Sequence, residues 1–371
     1  MFKNKKRMVF LAPLSALSRR PRLYKIANFF YHNKQELEIL HIGWERNKGE
    51  RDEIDLNFDI EKRIILNGGG YGGIKVKLYY FIWIVKSFFA CLKLKKTDIV
   101  WALGFESAFP ALLASKIKKF NVIFDDADRF SMLFSFPKPI KYLIEFFEKF
   151  TSRNVQKHLI PGIERYDFSS EKFHILKNMP SKVEVEKAKK IYGSKVWPKA
   201  DLIININGLL QQNRGLDIAL ELSNRLKEKS VHFLVAGRLA CNEAELLIDN
   251  ANVTYFGKVS NAEALASYFA SDLVLTYFRP DSIINTLAES NKWGDAIKIG
   301  IGVIVNSEVK TANYLRENNA CIYYPYNDIN SLENEISKLL LNKINLDLLK
   351  ENSKKLFGKF DYFEDQLKAI V

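Results

Sequence analysis

Two periodicities alternate along this chain. In the first half, the short apolar runs MVFLA, ELEILHI, RIILN, DIVWAL, NVIFD, KHLIP and FHILK have the length and β-branched or aromatic content of buried strands. Between them, residues 22–34, 74–95, 106–118 and 138–154 carry apolar positions at helical spacing. The second half repeats the alternation. LIININ, HFLVAG, NVTYFG, LVLTYF, GVIVN and CIYYP read as strands, and 214–228, 241–249, 261–270, 290–299, 310–318 and 329–342 as helices. Strands separated by helices of this length make parallel βαβ units. Two consecutive sets predict an α/β chain of two doubly wound domains. The join is placed in 178–201, a polar stretch holding Pro180 and Pro198. Residues 1–180 then form the first domain, 181–200 a linker and 201–344 the second domain. Residues 345–371 form one or two tail helices returning toward the first domain.

Charge sharpens this division. Residues 1–180 hold 32 Lys and Arg against 19 Asp and Glu, whereas the rest of the chain holds 24 of each, so the whole net charge of +13 lies in the first half. That asymmetry predicts an anionic partner for the first domain, such as a phosphate-bearing substrate or a membrane surface. Nucleic acid is not expected, because the basic residues are scattered over strand and helix units and no nucleic-acid-binding module is visible. The three cysteines are far apart and form neither a disulfide framework nor a zinc site, which fits a reducing, cytoplasmic setting. The opening MFKNKKRMVFLAP is read as a first buried strand, its apolar part being too short for a signal peptide. No run of ~18 apolar residues predicts a spanning helix. The stretch 74–96 is aromatic and basic at both ends. It reads as a buried helix, or as a helix that helps the basic half lie on an anionic bilayer.

Two glycine-bearing segments compete as nucleotide sites. In LNGGGYGGIK (66–75), Gly68, Gly70 and Gly73 satisfy G-x-G-x-x-G. A dinucleotide fingerprint belongs in the first βα turn, with an acid about twenty residues on. This run lies in a later unit, so it is expected to be a loop and not an NAD site. The stronger signal is SNKWGDAIKIGIGVIVNS (290–307). Ser290 or Asn291 caps a helix, Asp295 sits in its first turns, Gly300 ends it and a buried strand follows. The N–H groups of such a helix start suit a diphosphate, and a carboxylate one turn in can accept hydrogen bonds from ribose hydroxyls.

This segment resembles the donor-binding stretch of GT-B glycosyltransferases of the group-one, glycogen-synthase-like family, which follows a pattern like s-P-N-K-x-x-E-A-x-A-x-G-x-P-V-I. The chain offers Ser290, Asn291, Lys292, Asp295, Ala296, Gly300 and Val303-Ile304. ININGLLQQNRGLDIALEL (203–221) resembles the family's strand–G-R-L–loop–K-G–helix unit, with Gly208 present, Leu209 in place of the arginine and Arg214-Gly215 in place of Lys-Gly. FLVAGRL, NVTYFGKVSNAEALASYFASDLVLTYF, HILKNMP and LSRRPRLYKIANFF match further segments in the same order.

The resemblance implies a GT-B fold, two Rossmann-like doubly wound domains facing a cleft. It implies a hexosyltransferase that moves a sugar, with retention, from a nucleotide-diphosphate sugar to a cell-envelope polysaccharide or lipid-linked glycan precursor. Donor binding falls on Gly208, Arg214, Arg238, Ser290, Asn291, Lys292 and Asp295, with Asp295 at the ribose and Arg214 and Lys292 stabilising the departing diphosphate. Two departures stand out. Leu209 replaces the glycine-turn arginine, and Leu287 occupies the place of the family's first glutamate, with Glu289 and Asp281 close by but out of spacing. These keep two alternatives open: a degenerate GT-B scaffold in a glycan-assembly complex, and a nucleotide-sugar epimerase.

In the first domain, NVIFDDADRF ends a strand with Asp125, Asp126 and Asp128. Asp126 and Asp128 are expected at the acceptor or sugar, as base or hydroxyl acceptor. The other readings are a helix-cap cluster and a local Asp128–Arg129 ion pair. A metal-binding D-x-D is formally present, but no metal and no cofactor beyond the nucleotide sugar is expected. The five histidines show no ligand spacing and are assigned to core or strand-edge roles. The expected location is cytoplasmic, with peripheral contact at the inner face of the membrane.

Overall fold

A computed structural model describes residues 6–34, 37–52 and 58–371. Contacts divide the chain into two compact units, Met1–Leu176 with Leu367–Val371, and Lys177–Gln366. The first unit contains β1 (Lys6–Ala12), α1 (Pro21–Asn33), β2 (Leu37–Glu45), β3 (Glu61–Asn67), α2 (Gly73–Cys91), β4 (Ile99–Leu103) and α3 (Phe105–Lys118). Then come β5 (Asn121–Asp125), α4 (Phe130–Leu133), α5 (Lys138–Asn154), β6 (Lys157–Ile160) and β7 (Phe173–Ile175). The seven strands among the described residues of this unit are all parallel, in the order β3-β2-β1-β4-β5-β6-β7. Alternation along the strands splits the core. Val9, Leu11, Val100 and Ala102 pack under α2 and α3, while Phe10 and Trp101 meet Phe30 of α1 on the other face. Both faces are covered, so the strands read as near-continuous apolar runs.

The second unit runs α6 (Lys182–Ser194), β8 (Leu202–Leu210), α7 (Leu216–Leu226), β9 (Val231–Leu239), α8 (Asn242–Ile248), β10 (Val253–Tyr255), α9 (Asn261–Phe269) and β11 (Leu273–Leu275). It continues with α10 (Ile283–Thr286), α11 (Asn291–Ile299), β12 (Gly302–Asn306), α12 (Asn313–Glu317), β13 (Cys321–Tyr324), α13 (Ile329–Leu341), α14 (Lys343–Phe357) and the start of α15 (Phe363–Ile370), whose residues from Leu367 on belong to the first unit. Its six parallel strands follow the order β10-β9-β8-β11-β12-β13. In each sheet the order reverses once, at β1/β4 and at β8/β11. Such switch points are where open α/β sheets bind ligands, beyond the carboxyl ends of the strands. The expected pair of Rossmann-like domains is therefore present.

Three local features differ from the sequence-based expectation or refine it. The segment read as a linker holds α6, a 13-residue helix whose start is a capping box: the Ser181 side chain accepts the Glu184 N–H, and the Glu184 side chain accepts the Ser181 N–H. Its polar surface hid the narrow apolar edge, Val185 and Ala188, that it buries. The GGGYGG run follows β3, the edge strand, away from the switch point. Gly68, Gly69, Gly70 and Gly73 all take positive φ. A Cβ on Gly69 would stand 2.6 Å from the Tyr79 ring, and the Gly68 carbonyl accepts from the Trp44 indole N–H at 2.7 Å. The glycines thus let the loop lie on aromatic side chains. Finally, no helix among the described residues is long and apolar enough to cross a membrane.

Candidate active site

In the second unit the site grows from the ends of β8 and β9. Gly208 and Gly237 are partners in register, with φ of +105° and +137°. A Cβ on Gly237 would lie 1.8 Å from the Gly208 carbonyl oxygen, so only glycine lets the two turns meet. Lys292 reaches over this floor. Its Nζ lies 3.3 Å from where a Cβ on Gly208 would stand. Lys292 belongs to the first turn of α11, whose N-cap Ser290 accepts the Lys292 N–H at 3.3 Å. Ser290 is buried and Asn291 is exposed.

Arg214 follows β8, the strand that carries Gly208. It closes the short turn Gln212–Arg214. The next residue, Gly215 (φ +71°), is so close to the chain after β11 that a Cβ there would stand 2.5 Å from Tyr277 Cβ. The Arg214 guanidinium lies 4.9 Å from the Phe278 ring centroid. Burial pushes the Lys292 ammonium down to about 8, the Arg214 charge adds to this, and Asp295, three residues on along α11, opposes it. Asp295 also faces Tyr268, whose buried hydroxyl is held un-ionised by burial and by that carboxylate. Two cations and a helix N-terminus thus gather over a glycine floor, with a carboxylate one turn along the same helix. This arrangement suits a diphosphate joined to a diol-bearing group.

Arg238 is exposed and stands in register with Leu209 on the neighbouring strand, which is also exposed. Paired residues of parallel strands point to the same face. A guanidinium therefore occupies the sheet surface beside the position that lacks one. Leu287 is buried, and the side chain of Glu289 is buried and bound to Lys177 at 3.0 Å.

In the first unit the three neighbouring aspartates separate. Asp125 is locked in the core by Arg22 at 2.9 Å and by the Trp101 N–H at 3.1 Å. Asp126 is also buried. It accepts from the Tyr166 hydroxyl at 2.6 Å and lies 3.8 Å from His158 Nε2. Only Asp128 is substantially open to solvent, near Arg165 at 3.6 Å and Arg20 at 3.8 Å. The alternative reading of an Asp128–Arg129 pair is not what forms, because Arg129 pairs with Glu148 and Asp167, both at 3.0 Å. His158 and His41 are core residues, His158 stacked on Phe124 at 3.9 Å.

One residue escaped the sequence reading. Glu106, in the first turn of α3, is buried at the β1/β4 switch point. It folds back over Gly104 (φ +77°), with one carboxyl oxygen unpartnered. A glutamate there reads as an ordinary helix-start acid, and the visible hint was only the glycine two residues earlier. Burial, with the Asp126 charge adding, raises its carboxyl to about 8. The folded protein therefore keeps this proton where the unfolded chain has lost it, and stability contributed by the group falls as pH rises from about 4.5 to about 8. Glu106→Gln is expected to gain on the wild type across that window. Melting curves at pH 5 and pH 8 check this, and an equal difference at both would mean that Glu106 ionises normally.

No protein-family model matches the chain, and no curated protein matches it in sequence. Solved structures do. Sucrose-phosphate synthase from Thermosynechococcus elongatus superposes with a TM-score of 0.68 at 12% identity, covering 98% of this chain and 97% of that one. Anabaena HepE in complex with UDP and glucose gives 0.66 at 12%, covering 98% and 97%. A glycosyltransferase from Rickettsia africae ESF-5 gives 0.64 at 15%, covering 99% and 97%. Full-length agreement with these proteins, together with the two switched parallel sheets, gives this chain the GT-B fold.

Proposed function

We propose that this protein is a glycosyltransferase. In this reading it moves a hexose from a nucleoside-diphosphate sugar, UDP-linked in the first instance, to a cell-envelope polysaccharide or lipid-linked glycan precursor, with retention at the anomeric carbon. The observation that carries this is the convergence of Lys292, Arg214 and the start of α11 over Gly208 at the β8/β11 switch point. Breaking the sugar–phosphate bond puts negative charge on the departing diphosphate. Fixed cations and N–H dipoles lower that barrier because they are in place before the charge develops. Asp295 takes the ribose hydroxyls, and Ser290 and Asn291 present backbone N–H groups. Arg238 supplies from β9 the positive charge that Leu209 does not supply from β8. A UDP donor is favoured by the likeness to the Anabaena protein, whose structure holds UDP and glucose.

On the acceptor side, Asp128 is the half-exposed carboxylate for a hydroxyl contact. Asp126 is buried and accepts from the Tyr166 hydroxyl, which leaves Asp128 as the carboxylate open to an acceptor. The basic first unit meets an anionic partner, acceptor or membrane surface, and no step calls for a metal or a further cofactor.

A scaffold reading has one specific support: Leu209 and Leu287 leave the donor region short of two charged groups. Calorimetric and thermal-shift titration with UDP, GDP, CMP and NAD, on wild type and Asp295→Ala, separates the readings. A nucleoside diphosphate present at about a hundred times its Kd should stabilise the wild type by about 2.7 kcal/mol. Asp295→Ala should lose most of that gain and all turnover. Binding of no nucleotide favours the scaffold, and stabilisation by NAD alone would sink the donor-site reading.

A further inference from the structure

Helix α2 is apolar on two opposite sides. Val76, Tyr80, Trp83 and Ala90 face the core. Leu78, Phe81, Val85 and Phe89, spaced three or four apart, form a second stripe that faces outward, with Leu78 60% and Phe89 59% exposed. A helix with two apolar sides has more apolar surface than one core contact can bury, and among the described residues nothing covers its outer side.

The same pattern continues on its neighbours. α3 packs beside α2, and α5 packs beside α3, the latter contact including Phe109 and Phe147 with ring centroids 5.0 Å apart. α3 exposes Leu113 and Ile117. α5 exposes Ile140, Leu143, Phe146 and Phe150 as a stripe, with Phe146 at 62%, and Tyr142 beside it at 69%. Three adjacent helices on one face of the sheet therefore present outward apolar chains, well beyond the scattered leucines of an ordinary surface.

Charge selects the occupant. Segments 73–96, 105–119 and 138–154 carry thirteen Lys and Arg against three acids. Two of those acids, Glu106 and Glu148, are buried. Lys75, Lys86 and Lys93 flank the α2 stripe, Lys116 and Lys118 the α3 residues, and Lys138 and Arg153 the ends of α5. A second copy of the chain would bring two such basic rims together and be repelled. Apolar chains framed by lysines suit a surface that is anionic at the headgroups and apolar just beneath.

We propose that the outer face of α2, α3 and α5 docks on an anionic lipid bilayer, with Phe81, Phe89 and Phe146 entering the acyl boundary and the lysines meeting the headgroups. This deepens the reading of the basic first unit as the side that meets an anionic surface, and it stands apart from the donor site.

The test is co-sedimentation of the full chain with phosphatidylcholine vesicles, with and without phosphatidylglycerol, at low and high salt. The expected result is at least tenfold tighter binding to the anionic vesicles, weakened by salt. The triple variant Phe81→Ser, Phe89→Ser, Phe146→Ser should lose that binding and keep its melting temperature and its response to UDP. Those positions are exposed, so folding should survive. Equal binding to neutral and anionic vesicles, or an unchanged triple variant, overturns the proposal. So does a wild-type dimer that the triple substitution dissociates, since that would make the face a contact between copies. If vesicles bind as expected and UDP does not, the donor reading fails alone.

Discussion

Lys292→Ala is expected to lower kcat/KM for sugar transfer, or for slow hydrolysis of the donor, by roughly a hundred- to a thousandfold, the usual effect of removing one fixed group from a developing anion. The reason is positional. The ammonium sits against Gly208, where no side chain intervenes, at the start of a capped helix. Its ionisation supplies a signature that simple misfolding would not. Burial and Arg214 hold the free ammonium at about 8, and a diphosphate alongside it raises that value. Nucleotide binding is therefore linked to proton uptake above pH 8, and affinity should fall as pH rises, by up to tenfold per unit. In Lys292→Arg the guanidinium stays charged, so the decline should move to higher pH even if absolute affinity suffers. Calorimetry between pH 7 and 9.5 checks this. A flat wild-type profile would place the ammonium away from the diphosphate.

Gly294→Ala is expected to destabilise the protein by about 2 kcal/mol or more and to weaken nucleotide binding. Intrinsic propensity argues the other way, since replacing a glycine inside a helix with alanine ordinarily gains about 1 kcal/mol. Packing decides the sign. A Cβ on Gly294 would stand 2.1 Å from the Asn178 carbonyl oxygen and 3.0 Å from Met179 Cα. Both are backbone atoms that cannot rotate aside, so α11 must shift and carry Ser290, Lys292 and Asp295 with it. Gly193→Ala in α6 is the control, because a Cβ there meets nothing within 4 Å and should be neutral or stabilising. Denaturant melts of both variants test the contrast. A stabilised Gly294→Ala would show that α11 is not seated against residues 178–179.

Much of this architecture was legible in the chain. Each apolar run read as a strand became one of the thirteen strands among the described residues, because parallel strands covered on both faces cannot alternate with polar residues. The helix–strand unit at 290–307 was equally plain, since Ser290, Gly300 and the GVIVN run each leave a local mark. Helix α6 was missed because its signal is a capping box and a narrow apolar edge inside a lysine-rich, proline-flanked stretch.

The site was legible only in pieces. Gly208, Arg214, Lys292 and Asp295 could each be nominated, but their meeting depends on β8 and β11 lying side by side at a reversal of strand order. Local periodicity carries no information about that. Nor could it tell Asp125, Asp126 and Asp128 apart, which share a residue type and a strand end. Arg22, Tyr166 and Arg165, from elsewhere in the chain, give the three carboxylates different surroundings. The same holds for Arg238, which stands beside Leu209 through the β8/β9 register, and for the outer stripe of α2, whose exposure depends on what packs against it. The sequence by itself determined which segments are strands and helices, because burial periodicity is local. Which side chains share a site, and which apolar face is left uncovered, was decided by the tertiary structure, because those are contacts between residues far apart in the chain.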